Sequence, residues 1–370
     1  RLLIYYSLIC FMRFNIKLYN YKRLYIHFCF LVLLNIFFST ENIEAKTFSV
    51  NDIEISTPFE INFNKNKIID EGFKKAFSQL MTLIVNSSEI QKVDKIKLNE
   101  IKGMIESFSI KEEKFVKNIY HINLGVSFNK KKVFNFLETK NIFPTQIVKE
   151  TFLFIPIIIN QKNNEIIMFS DNQFYVNWNK DNKKNSLIKY LLPTEDLEDI
   201  NLIKSKSNEI ENYNFEKIIE KYYLNNSIVA LVFRNNKETK ILSKINIKDQ
   251  KIIKDNSFSD FDYKNEDEIK ILIKQLKIIY EDLWKDYNQI NTSIKLPLFI
   301  KVDNKDLALS LKFEKTLNNI DLIGDYSINK FDKDFIYYEI TFNSTPKNFI
   351  NIMSNKNFNF NTQKKVWILK

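Results

Sequence analysis

Cysteine, glycine, histidine and proline are all scarce in this chain of 370 residues, and each shortage removes a class of chemistry. Cys10 and Cys29 both precede residue 45. The remainder therefore has no thiol for a disulfide, a zinc–thiolate site or a cysteine nucleophile. Gly72, Gly103, Gly125 and Gly324 fall in no GxGxxG or GxxxxGKS/T pattern, which excludes the phosphate-cradling loops built on those motifs. His121 is the single histidine after residue 45. No GxSxG elbow offers it a serine, and no second His, Cys or acidic cluster is spaced to share a metal with it. It reads as a structural residue in a strand. Sparse Pro and Gly also argue against long structureless loops.

What is abundant is hydrocarbon and lysine. The chain is 45% hydrophobic, with 33 Phe, too apolar to remain unfolded. Its net charge of +10 is spread along the length, in the Lys/Asn/Ile-rich usage of an AT-rich bacterial genome. Lys130-Lys131-Lys132 is the longest basic run. It sits where a helix begins, with Val133, Phe136 and Leu137 as the buried face, and reads as a solvated helix end rather than a phosphate patch. No nucleic-acid partner is expected.

Residues 1–45 read as a signal peptide. Lys22 and Arg23 precede an apolar run over 24–38, and a short polar stretch ends at Ala45. The run spans about 15 residues, short of the roughly 20 needed to cross a bilayer. Cleavage is expected before Lys46, although Ile43 stands where a small residue is usual. An uncleaved segment is the alternative, and would be the only membrane contact. Met12 is the expected start. The location implied is the bacterial envelope, periplasmic or otherwise exported. An exported chain without thiols must cohere by core burial, and roughly 325 residues suffice for two or three domains.

Periodicity then sets the elements. A strand over 47–56, helices over 66–86 and 98–106, strands over 108–116 and 119–128, a helix over 131–139 and an apolar strand over 151–159 follow in order. The last strand suits burial on both faces. The end of the chain repeats the theme: strand 296–301, helix 307–317, strands 320–329 and 334–343, helix 346–354, strand 364–369. This is the β-α-β-β-α-β order of the split βαβ unit. Residues 134–142 also align with 350–358: Asn135, Lys140 and Asn141 match Asn351, Lys356 and Asn357, and four apolar positions stay apolar. Phe108-Ser109-Ile110 matches Tyr326-Ser327-Ile328. An internal duplication is the expectation.

The fold expected is α+β: two ferredoxin-like units, 46–160 and 295–370, flank a central α/β unit over 161–262 and a long amphipathic helix within 263–294. That helix starts at Glu266, capped by Asn265 with Glu268, and packs an apolar stripe on the sheets.

Few residues stand out as functional. Glu195, Asp196, Glu198 and Asp199 form the densest acidic segment, without the D-x-D-x-D spacing or loop Gly of a calcium site. With Thr194 as N-cap they read as the acidic first turn of a helix. Trp178 follows Phe174 and Tyr175 just before a polar loop; core packing is the favoured reading, and of the three tryptophans it is the one best placed to face a cleft. Trp178, Asp196, Glu198 and Asp199 are thus the candidate ligand or partner contacts. No catalytic, metal or cofactor-binding residue is nominated.

Several segments resemble a bacterial exported family known as domain of unknown function two-thousand-sixty-six. The resemblance rests on Phe73-Lys-Lys-Ala-Phe77 with Leu80, on Phe154-Ile-Pro156-Ile-Ile, and on Tyr175, Asn177 and Trp178. It also rests on Leu192-Pro193 with Asp196-Leu-Glu-Asp199, on the step from Tyr222 to Val232, and on Trp367 with Leu369. Thr194-Glu195 stand where that family usually has a Gly. The resemblance implies export and brings no activity. The expectation is a non-catalytic module that binds an envelope protein or a cell-wall component. The alternative is a hydrolase or ligand-binding protein built on a cleft joining Trp178 to Asp196–Asp199.

Overall fold

The computed structural model describes residues 47–160, 165–180, 186–234, 238–259 and 265–370. The signal-peptide reading of 1–45 lies outside them. None of the described helices is long and apolar enough to cross a membrane. The architecture is α+β; the described residues form three sheets, with helices on one face of each outer sheet and on both faces of the central one.

The first sheet holds β1 (Thr47–Pro58), β2 (Ile105–Val116) and β3 (Ile119–Asn129) in the order β1-β3-β2, all antiparallel. Alternation puts Tyr120, Ile122, Leu124, Val126 and Phe128 of β3 on one buried face. Helices α1 (Lys65–Ile84), α2 (Leu98–Met104) and α3 (Lys130–Thr139) contribute to the core on that face. Asn64 caps α1 by accepting from the Asn66 and Lys67 amides. Gly72 lets α1 close on the sheet, since a Cβ there would lie 2.3 Å from Leu124 Cδ1. The opposite face is polar and carries Ser49, Ser127 and His121, whose Nδ1 lies 2.7 Å from Ser56 Oγ.

The strand expected to complete this sheet goes elsewhere. β4 (Glu150–Asn160) lies parallel to β7 (Asn226–Arg234) in the central sheet, so the first unit gives up its strand before residue 160. The reason is in its side chains. Phe152 and Phe154 are buried on one side, Leu153, Ile155, Ile157 and Ile159 on the other. Beside β1 one of those sets would face water, because the first sheet covers one face only. In the central sheet both are covered.

That central sheet runs β5 (Glu165–Ile167), β4, β7, β8 (Glu238–Ile247), β9 (Gln250–Ser259). A short β6 (Ile188–Leu191) pairs parallel with the start of β4. The preceding α4 (Gln173–Asn177) and the long α7 (Glu266–Tyr287) cover one face. On α7 the residues Ile269, Leu272, Ile273, Leu276, Tyr280 and Trp284 are buried. Asn265 caps it as expected, accepting from the Asp267 amide and donating to Glu268. The opposite face is covered by α5 (Leu197–Ser205) and α6 (Glu216–Ile219), through Ile203 and Ile218.

The last sheet runs β11 (Ile323–Phe331), β12 (Phe335–Phe342), β10 (Leu296–Asp303), β14 (Val366–Leu369), β13 (Phe360–Asn361). β10 is parallel to β14 and antiparallel to β12. Helices α8 (Leu307–Asn319) and α9 (Pro346–Ser354) bury Phe313, Leu317, Phe349 and Met353 against it.

The two outer units share irregularities as well as order. The β2–β3 ladder shifts register between Ile105 and Ser107 and between Ile110 and Glu112. The β11–β12 ladder shifts between Ile323 and Asp325 and between Ile328 and Lys330, the same interval apart. Phe108-Ser-Ile110 and Tyr326-Ser-Ile328 occupy the stretch between the shifts. Both α3 and α9 are followed by a left-handed asparagine, Asn141 (φ 55°) and Asn357 (φ 64°). In each, the next amide reaches back to the helix: Ile142 to the Leu137 carbonyl and Phe358 to the Met353 carbonyl, both at 3.0 Å. This closure satisfies carbonyls that the helix end leaves open.

Lys130 departs from the solvated helix end expected of it. It is 7% exposed, pairs with Asp321, and its ammonium lies 4.8 Å from the Phe48 ring centre and 5.5 Å from that of Phe134. Lys131 pairs with Asp325 at 3.0 Å, and Lys295 with Glu138 at 2.9 Å. The basic run thus fastens the first unit to the last. Burial pushes the Lys130 amine below its ordinary value, and the Asp321 carboxylate opposes that push.

Candidate functional site

Trp178 stands apart from the three candidate carboxylates. Trp178 caps the C-terminal end of α4 and is fully buried on the α7 side of the central sheet. Its ring stacks on Phe154 at 3.6 Å, with planes 20° apart, and meets Tyr190 edge-on at 5.3 Å. Lys277 of α7 donates to the Trp178 carbonyl at 2.6 Å.

The acidic segment belongs to the other side, where α5 covers the sheet. Asp196, not Thr194, is the N-cap: its side chain accepts from the Glu198 amide at 2.8 Å. The Thr194 amide instead donates to Tyr222 Oη at 2.9 Å. Lys221 bridges Asp196 at 2.8 Å and the buried Asp199 at 2.7 Å. Glu198 is exposed in the first turn of α5. Among the described residues no cleft joins Trp178 to these carboxylates, because the sheet stands between them. The acids are occupied in starting and fastening a helix.

Lys221 holds the Asp196 carboxyl below its ordinary value, helped by the Glu198 amide. The linkage sign follows. A carboxyl depressed in the folded state contributes stability above its unfolded value, and that contribution is lost as pH falls through the folded one. Thermal melts from pH 6 to pH 3 should therefore fall more steeply for the natural chain than for Lys221→Met. Parallel curves would show that the bridge is not coupled to folding.

A groove opens instead along α7. Its volume is about 830 Å³, and it lies between α7, the end of α4 and the strand starts at 149–151 and 186–190. Trp178, Tyr190 and Leu187 line its inner side. Ile271 and Ile278, one heptad apart on α7, line the outer side and are 58% and 39% exposed. Five lysines and two glutamates share the lining. Both glutamates are engaged. Glu281 accepts from Ser186 Oγ at 2.6 Å and from the Leu187 amide at 3.2 Å, and Glu150 accepts from the Thr151 amide at 3.1 Å. Ser186 Oγ has no histidine beside it, only the Ile188 carbonyl and Glu281. Burial is the main cause that pushes the Tyr190 hydroxyl well above its ordinary value, with the Glu281 charge adding to it. It stays neutral and able to donate. The arrangement offers cations around an apolar floor, a geometry for holding a molecule.

No family model matches the chain, and no curated protein matches it.

Only one wall of the groove was legible in the sequence. Trp178 is a packed core residue, the reading its sequence context favours, and it backs the groove. Ile271 and Ile278 carried the missed signal: they stand off the buried stripe of α7, and Lys270, Lys274 and Lys277 share their side of the helix. His121 borders a smaller hollow of about 160 Å³ with Glu54, Glu112 and Lys114. Among the described residues no three His, Cys, Asp or Glu side chains stand together as a metal site would need.

Proposed function

We propose that this chain is an exported, non-catalytic binding protein of the bacterial envelope and that the α7 groove holds its partner. The groove carries the reading: a ligand-sized concavity with an apolar floor and a lysine rim, with no nucleophile–histidine pair among the described residues that line it. The envelope location rests on the leader-like residues 22–45 and on the resemblance to the exported family. The partner class expected from sequence is an envelope protein or a cell-wall component. A nucleic-acid strand suits the groove less well, since strand-binding sites pair a continuous basic track with a row of stacking aromatics.

In this reading the last unit is ferredoxin-like and the first is its duplicate with three strands. The order β11-β12-β10-β14 with β10 parallel to β14 supports the former. The shared register shifts and shared asparagine closures support the latter. Strand addition at the β2 edge is the weaker route to a partner. Its register shifts and its run Lys111-Glu-Glu-Lys114 are features that blunt sheet edges.

The test is photocrosslinking in the native envelope. A photoreactive residue at Ile271 or Ile278 should capture the same component, identified by mass, and one at Leu197, which is 74% exposed and lies on the opposite face, should not. Equal capture from all three positions, or none from the groove, would sink the reading.

A further inference from the structure

We propose that the occupant of the α7 groove is a single-chain anionic amphiphile, an alkyl carboxylate or alkyl phosphate taken up as a monomer; this rests on the groove being the binding site. Three observations converge on that chemistry. The first is size: about 830 Å³ falls within the range of roughly 300–1,000 Å³ typical of small-molecule sites.

The second is charge. Lys270 is drawn to Glu266 and Asp267, and Lys277 to the Trp178 carbonyl. Lys149, Lys189 and Lys274 have no carboxylate partner among the described residues, and all three are exposed. With Glu150 and Glu281 tied to backbone amides, the rim keeps a net positive charge that a single anionic head would complement.

The third is the wall. Ile271 and Ile278 expose hydrocarbon beside those lysines, which is where a tail would lie. Apolar surface and unpaired cations in one concavity are what a head-and-tail anion needs. A neutral lipid would leave the lysines uncompensated, and a small free anion would leave the isoleucines wet.

The full chain, purified without detergent, is titrated calorimetrically with dodecanoate below its micellar range. One dodecanoate should bind per chain. Decanoate, two methylenes shorter, should bind about fifteenfold more weakly, from ~0.8 kcal/mol per buried methylene. Acetate and dodecyltrimethylammonium, which keep only the head or only the tail, should not bind. Ile271→Asp should weaken binding at least tenfold. Lys189→Ala with Lys274→Ala should also weaken it about tenfold while keeping the dependence on tail length. These positions are exposed, so unchanged melting temperatures serve as the folding control; Ile278→Ala provides a milder second variant.

Equal affinity for the cationic analogue, indifference to Ile271→Asp, or binding only to vesicles of anionic phospholipid would each overturn the inference. The crosslinking above separates the two levels. A component captured from Ile271 while dodecanoate stays silent removes the amphiphile and keeps the groove. Silence in both removes both.

Discussion

Asp321→Ala is expected to lower the free energy of unfolding by about 3 kcal/mol, the lower part of the range for breaking a buried ion pair. Lys130 is 7% exposed, and its side chain reaches the boundary of the first and last units. Removing Asp321 leaves that ammonium among Phe48 and Phe134 with no carboxylate opposite. The loss stays near the low end because the Asp321 side chain is 33% exposed and water screens part of the attraction. The double variant Lys130→Met with Asp321→Ala should recover most of it, since no charge then remains to be buried. The single variant should also regain stability as pH rises. Burial already holds the folded amine below its ordinary value, so the folded state sheds that proton before the unfolded state does. Urea unfolding at constant m measures all three effects. A loss under 0.5 kcal/mol for Asp321→Ala would show that Lys130 reaches water in solution.

Trp178→Ala should cost about 3–5 kcal/mol, the range for truncating a large buried aromatic. The ring is fully buried, stacked on Phe154 and enclosed by Tyr190 and Tyr280. A tryptophan that served as an open platform for a ligand would lose little stability on truncation, because surface substitutions usually stay within about 0.5 kcal/mol. Urea unfolding therefore separates the two roles. A small loss would show that the ring is open to solvent. Trp178→Phe, which keeps the stack, should lose less than Trp178→Ala.

Much of the architecture was readable from hydrophobic period. The stripe on α7 is buried at Ile269, Leu272 and Leu276, and its Asn265 cap is in place. β4 is buried on both faces, as its apolar run required. The acidic segment begins a helix, with the cap two residues later than Thr194. Even the match of 134–142 to 350–358 anticipated a shared local geometry, because asparagine tolerates the left-handed turn that closes both helices.

Other features were out of reach, for one physical reason. A run of side chains reports how many of its faces must leave water, and it is silent on what covers them. β4 announced two buried faces, yet its placement beside β7 and not beside β1 depended on where helices were available to cover both. The lysine run announced charge, yet burial of Lys130 with exposure of its neighbours depended on Asp321 arriving from 191 residues away. Trp178 and Asp199, close in sequence, were parted by a sheet assembled from strands on either side of them. The groove, too, exists only because Ile271 and Ile278 of α7 come to lie across from residues 186–190. Local pattern sufficed for elements and their wet and dry sides; long-range packing chose the neighbours, and with them the site.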